Sequence, residues 1–133
     1  MSHTPTSIDA LLSEARATLP ARPSPPEALR LMRSGALLID IRGDDQRRRD
    51  GLIPGAHVIP RNSLEWRCDP GSRWRHAAVR DHEQHIVLIC DEGFQSSLAA
   101  ATLQRLGLHR ATDVQGGFQA WRAAGLPVLP AGS

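Results

Sequence analysis

The stretch His85-Ile-Val-Leu-Ile-Cys90-Asp-Glu-Gly-Phe-Gln-Ser-Ser97 joins an aliphatic run, a short loop with one glycine and the start of a helix. Four successive apolar residues, Ile86 to Ile89, read as a strand buried on both faces, the pattern of a parallel sheet covered by helices. Cys90 falls at the carboxyl end of that strand. In open parallel sheets ligands bind outside those ends, and the helix that follows offers unpaired backbone N–H groups and a positive dipole end. A thiolate, the reactive form of cysteine, is favoured in such a place. Gly93 lets the loop curl until several amides face the sulfur, and Ser96 or Ser97 can cap the helix or lend a hydroxyl.

On both sides of this stretch the chain alternates. Ala36 to Ile41 is an apolar run, Asp44 to Asp50 is polar and helical in composition, and Ala56 to Ile59 is apolar again. Beyond the cysteine, Ser96 to Leu106 carries the stripe Leu98, Ala99, Thr102, Leu103 and Leu106, with Gly107 as its terminator. Ala111 to Val114 is strand-like, and Phe118 to Ala124 is helical. Such alternation predicts an α/β fold whose parallel sheet has helices on both faces. Ser24-Pro25-Pro26-Glu27 is a helix start, with a capping hydroxyl, early prolines and an early carboxylate, and Gly35 suits its left-handed end. Upstream, Ser7 to Thr18 has a weaker helical pattern with Ile8, Leu11, Leu12 and Ala15 on one face. Residues 1–23 therefore read as an arm, a helix with a Pro-rich linker, appended to a main domain over 24–130. Asn62 to His85, with Trp66, Cys68, Pro70, Gly71 and Trp74, follows no period and receives no assignment.

Composition narrows the function classes. A chain of 133 residues with 41% hydrophobic and 23% charged residues is one domain with enough apolar side chains for a core of its own. Its 16 basic residues, all Arg, face 14 acidic ones, and the net charge of +2 is no nucleic-acid footprint. The one basic run, Arg47-Arg48-Arg49, is framed by Asp44, Asp45 and Asp50 and reads as a solvated helix face. Two cysteines cannot build a disulfide framework, no apolar stretch approaches a membrane span, and the N-terminus lacks the pattern of a secretory signal. A cytoplasmic protein without nucleic-acid or membrane partners is expected. Six histidines occur without a Cys-x-x-Cys or His-Glu-x-x-His pattern, so neither a metal nor another cofactor is expected.

Three motifs carry a resemblance. Cys90-Asp91-Glu92-Gly93-Phe94-Gln95-Ser96 resembles the rhodanese active-site loop, Cys-x-x-Gly-x-Arg-Ser, with Gln95 in the place of the Arg. Leu38-Ile39-Asp40-Ile41-Arg42 followed by Gly51-Leu52-Ile53-Pro54-Gly55-Ala56 resembles the family's Asp-Val-Arg and Gly-His-Ile-Pro-Gly-Ala. Gly116-Gly117-Phe118, Trp121 and Gly125-Leu126-Pro127-Val128 resemble its C-terminal signature. The resemblance spans Leu37 to Val128. It implies a five-stranded parallel sheet flanked by helices, and a single-domain sulfurtransferase that carries sulfane sulfur as a Cys90 persulfide. In that reading Cys90 is catalytic and Asp91, Glu92, Gly93, Phe94, Gln95 and Ser96 form its loop. Asp40 and Arg42 are supporting residues, because an Asp ending a buried strand needs a partner that backbone amides or Arg42 would supply. The implied partners are a small-molecule or protein sulfur donor and a thiol or cyanide-like acceptor.

Other readings compete. Phosphatases with a related fold use Cys-x5-Arg, but here position 96 is Ser, and a phosphate dianion lacks the guanidinium fork it needs. A rhodanese-like module that binds or senses sulfur or oxidant without turnover is the stronger alternative, favoured by the missing Arg and opposed by the retained Cys90, Gly93 and Ser96. Gln95 removes one positive charge from the loop while Asp91 and Glu92 add two negative ones. Thiosulfate is therefore expected to bind poorly unless Arg42, Arg67 or Arg73 reaches in. Cys68 reads as a bystander before a resolving thiol.

Overall fold

Ser24 caps the first helix of the main domain as its sequence predicts. Its hydroxyl accepts from the Glu27 backbone N–H at 3.3 Å, and the Glu27 carboxylate accepts from the Ser24 N–H at 3.2 Å. A computed structural model describes residues 4–131, so residues 1–3 of the expected arm lie outside the described residues. In chain order the elements are α1 (Ile8–Thr18), α2 (Pro25–Arg33), β1 (Leu37–Asp40), α3 (Asp44–Asp50) and β2 (His57–Val58). A 3-10 turn (Arg61–Ser63), α4 (Leu64–Cys68), β3 (Ile86–Ile89), α5 (Gln95–Arg105), β4 (Thr112–Asp113) and α6 (Gly117–Ala123) follow.

The strands lie in the order β2-β1-β3-β4, every pair parallel, with Leu37 opposite Ile86 and Asp40 opposite Ile89 at the centre. Side chains alternate across a strand, so the two central strands feed two cores. Leu37, Ile39, Ile86 and Leu88 pack with Ala99, Ala100 and Leu103 of α5 and with Leu64 and Cys68 of α4. On the other face Leu38, Val87 and Ile89 pack with Ala28 of α2 and with Phe118 and Trp121 of α6. This is the predicted α/β layering.

The strand count needs correction. Among the described residues the sheet has four strands, where the resemblance implied five. Four apolar runs in the sequence correspond to the four strands, and the fifth came from the resemblance alone. Leu52 and Leu129 exchange both backbone bonds, at 2.7 and 2.8 Å, in an isolated antiparallel bridge. Pro54 on one side and Pro127 and Pro130 on the other have no N–H to give, and the ladder stops there.

The arm folds back on the domain. Ala15 of α1 is buried where α1 lies along α5, and Leu19 packs against the core. The linker then runs beside β4, where Gln115 N–H donates to Pro23 O at 2.9 Å and Thr112 Oγ1 donates to Pro20 O at 3.3 Å.

Asp50, at the end of α3, ties that helix to α6. It accepts from Arg49 Nη2 at 3.0 Å, Gln119 Nε2 at 3.1 Å and Arg122 Nη1 at 3.2 Å. The Arg49 hydrogen bond first, then the Gln119 bond and the charges of Arg49 and Arg122, hold its carboxyl at about 2 against an ordinary 3.8, with burial opposing. The folded state thus favours the carboxylate, and its stabilisation is complete above the ordinary value and lost as pH falls from 3.8 toward 2. Thermal melts of the wild type and Asp50→Asn should differ at neutral pH and converge across that window. A gap that persists undiminished at the acid end contradicts the assignment.

Candidate active site

Strand β3 delivers Cys90 to the carboxyl edge of the sheet, where its side chain is 5% exposed. The loop then turns back over the sulfur. Gly93 N–H points at Cys90 Sγ from 3.1 Å and Ser96 N–H from 3.4 Å. The thiol donates to Ser96 Oγ at 3.1 Å, and Ser96 in turn donates to Asp113 Oδ2 at 2.7 Å.

Glycine is required at two places in this turn. Gly93 has φ +87° and Gly117 has φ +62°, a region that L side chains rarely adopt. A Cβ on Gly117 would stand 2.6 Å from Cys90 O and 2.7 Å from Gly93 N, so the turn after β4 nests under the cysteine loop only without one. The N-terminal residues of α6 then hold that loop, with Phe118 N–H donating to Cys90 O at 2.8 Å and Gln119 N–H to Asp91 O at 3.0 Å.

From behind, two arginines of the arm grip the same loop. Arg16 Nη2 donates to Gly93 O at 2.9 Å and Arg16 Nε to Ser97 Oγ at 3.1 Å. Arg22 Nη2 reaches Gly93 O at 3.3 Å while Arg22 Nε donates to Asp113 Oδ1 at 2.7 Å. Asp113 is fully buried and also accepts from Ser97 Oγ at 2.8 Å. Hydroxyls and a guanidinium thus offset the desolvation of its charge. Gly93 is thus held at both ends, its carbonyl by the two guanidiniums and its N–H on the sulfur. Sequence reasoning missed Arg16, Arg22 and Asp113. Asp113 alone left a signal, a charged residue inside the apolar run Ala111 to Val114.

Asp40 and Arg42 form a buried pair. Arg42 Nη2 donates to Asp40 Oδ2 at 2.8 Å, Nε to Oδ1 at 3.1 Å and the Arg42 backbone N–H to Oδ1 at 3.0 Å. Nη2 also reaches Gly51 O at 2.8 Å, and the guanidinium stacks 3.8 Å from the Phe118 ring centroid. Nη1 has no partner among the described residues.

A cavity of about 230 Å³ covers Cys90, walled by Arg42 and Gln46 on one side and by Asp91, Glu92, Phe94 and Gln95 of the loop on the other. Of the three arginines weighed as substitutes for the missing one, Arg42 lines this cavity. Arg67 instead donates to Trp74 O at 2.8 Å, and Arg73 stacks on the Trp74 ring at 4.9 Å. The Asp91 carboxylate is drawn toward α6, accepting from Gln119 Nε2 at 2.9 Å. Cys68 is buried in the core, and burial, helped by the Glu65 charge and opposed by Arg67, pushes its thiol up to about 12.

Fold and loop together define an α/β protein with a cradled cysteine at the carboxyl edge of a parallel sheet. Residues 24–124 match the profile of the rhodanese-like domain, and the chain belongs to that family. A curated relative named thiosulfate sulfurtransferase GlpE, from Pseudomonas entomophila, is 33% identical over 102 residues, covering 77% of this chain and 84% of the relative. Another of the same name, from Actinobacillus pleuropneumoniae, is 32% identical over 79% of this chain and 89% of the relative. Among solved structures, a protein of unknown function from Rhodopseudomonas palustris, described as a possible tyrosine phosphatase, superposes with TM-score 0.83 at 35% identity. That match covers 97% of this chain and 99% of the other. The polysulfide-sulfur transferase homodimer from Wolinella succinogenes gives TM-score 0.70 at 26% identity, over 91% of this chain and 85% of the other. Family and relatives mark the chain as a rhodanese-type sulfurtransferase.

Proposed function

We propose that this chain moves sulfane sulfur through Cys90, taking it from a thiol-derived persulfide donor in preference to thiosulfate and passing it to a nucleophilic acceptor. The observation that carries this reading is the convergence of the Gly93 and Ser96 amides and the Ser96 hydroxyl on one sulfur atom. Attack of the Cys90 thiolate on the outer sulfur of R–S–SH forms Cys90–S–SH, breaks the donor S–S bond and releases R–S⁻. The acceptor then attacks that outer sulfur, and the electron pair of the broken S–S bond returns to Cys90 Sγ. Ser96 serves both protonation states. While the thiol donates to Ser96 Oγ, the serine hydrogen goes to Asp113; once the thiol proton leaves, that hydrogen can turn to the sulfur, since Arg22 and Ser97 still satisfy Asp113.

Turnover is tested by intact mass. Incubation with sodium polysulfide should add one sulfur atom, and subsequent cyanide or dithiothreitol should remove it, cycle after cycle. Uptake without release would assign the chain to the non-turnover sensing class. The phosphatase description of the Rhodopseudomonas neighbour finds no support in this loop, because Ser96 presents a hydroxyl tied to Asp113 where a phosphate would need a guanidinium.

Donor preference follows from position 95. Loss of one close, partly desolvated charge-assisted contact weakens an anion by about 1.5–3 kcal/mol, about ten- to a hundredfold. Gln95→Arg should therefore lower the thiosulfate KM by about tenfold or more at low ionic strength. Steady-state kinetics with thiosulfate and cyanide on both proteins measures it. A low wild-type KM that the substitution leaves unchanged would overturn the preference.

A further inference from the structure

A second, apolar groove adjoins the cysteine cavity. It measures about 480 Å³ and is lined by Ile8, Asp9 and Leu12 of α1, by Phe94 and Gln95 of the loop and by Leu98 of α5. Phe94 and Gln95 also wall the cavity over Cys90, so those two residues border both spaces. Ile8 is 64% exposed and Phe94 55%, although Ala15, further along the face of α1 that carries Ile8, is buried. Large apolar side chains grouped in water beside a reactive atom mark a binding surface rather than a stray exposed residue. The volume is that of a small-molecule site.

Charge narrows the occupant. The acidic groups here are Asp9 in the groove and Asp91 and Glu92 at the mouth. The Arg16 guanidinium lies 6.0 Å from the Phe94 ring centroid and is committed to Gly93 O and Ser97 Oγ. Arg42 is held by Asp40 and Arg22 by Asp113. An anionic tail gains nothing in this groove and an uncharged aliphatic one gains burial.

We propose that the groove holds the aliphatic tail of an uncharged alkyl thiol acceptor while its sulfur reaches Cys90. This rests on sulfur transfer through Cys90. In the step, R–S⁻ attacks the outer sulfur of Cys90–S–SH, the new R–S–SH leaves with that sulfur and its hydrogen, and the electron pair of the broken bond stays on Cys90 Sγ. The proton first lost by the thiol goes to solvent.

The test uses the full chain loaded with sodium polysulfide and freed of excess reagent. Loss of the added sulfur is followed by intact mass in single turnovers with ethanethiol, butanethiol and hexanethiol. The second-order rate should rise about two- to fourfold per methylene, the range set by burying a CH₂ group. Ile8→Ser and Leu12→Ser should each flatten that dependence, and 3-mercaptopropionate should react more slowly than an uncharged thiol of its length. A rate independent of chain length, or a dependence that survives both substitutions, overturns the proposal. A wild-type dimer that Ile8→Ser converts to monomer overturns it too, giving the groove to a second copy. Release to ethanethiol or to cyanide in any of these cases leaves transfer through Cys90 standing, whereas release to neither a thiol nor cyanide sinks both.

Discussion

Cys90→Ser abolishes sulfur loading from polysulfide, and Cys68→Ser leaves it in place. A serine hydroxyl in the cradle accepts the same Gly93 and Ser96 amides, but it is no nucleophile toward sulfur at neutral pH. Cys68 is fully buried in the core with its thiol pushed up to about 12, so it has neither access nor an appreciable thiolate fraction. Intact mass after polysulfide treatment measures both variants. Comparable sulfur uptake by the Cys90 variant would remove Cys90 from the mechanism.

The second large effect concerns stability. Asp40→Asn keeps the shape of the side chain yet leaves the Arg42 guanidinium buried without its counter-charge, and breaking one side of such a pair typically lowers unfolding free energy by about 3–5 kcal/mol. Both side chains are essentially inaccessible, with exposures of 1% and 0%, so water cannot take the place of the carboxylate. Urea unfolding of the single variant gives the loss. Adding Arg42→Met should recover much of it, because an apolar side chain of similar length fits beside Phe118 without a charge to solvate. A loss below about 1 kcal/mol would be that of an exposed pair and would place the guanidinium in contact with water.

The central strands were legible because β1 and β3 are buried on both faces, and nothing but continuous aliphatic sequence satisfies that. β2 and β4 are two residues each, and their ends could be read only approximately, from the longer apolar runs Ala56 to Ile59 and Ala111 to Val114. Asn62 to His85 resisted assignment for a physical reason. Side-chain bonds order much of it: Gln84 accepts from Arg80 N–H at 2.9 Å and donates to Ala78 O at 2.8 Å, and His76 Nδ1 accepts from Ala78 N–H at 3.0 Å. Such contacts leave no period in the sequence. The sulfur-facing half of the site was visible in the spacing of Cys90, Gly93 and Ser96. Its rear half was not, because Arg16 and Arg22 meet Gly93 and Asp113 across 77 and 91 residues of chain.

That separation bears on how such a protein could be inherited or recombined. The segment matching the family begins at residue 24, after both arginines. A gene fusion that joined another protein at that point would carry the cysteine, its glycine and its serine, but would leave behind the two guanidiniums that anchor the Gly93 carbonyl and neutralise Asp113. The recipient would own a sulfur-binding loop without its footing. In this chain the contacts that anchor the loop thus reach upstream of the segment that the family shares.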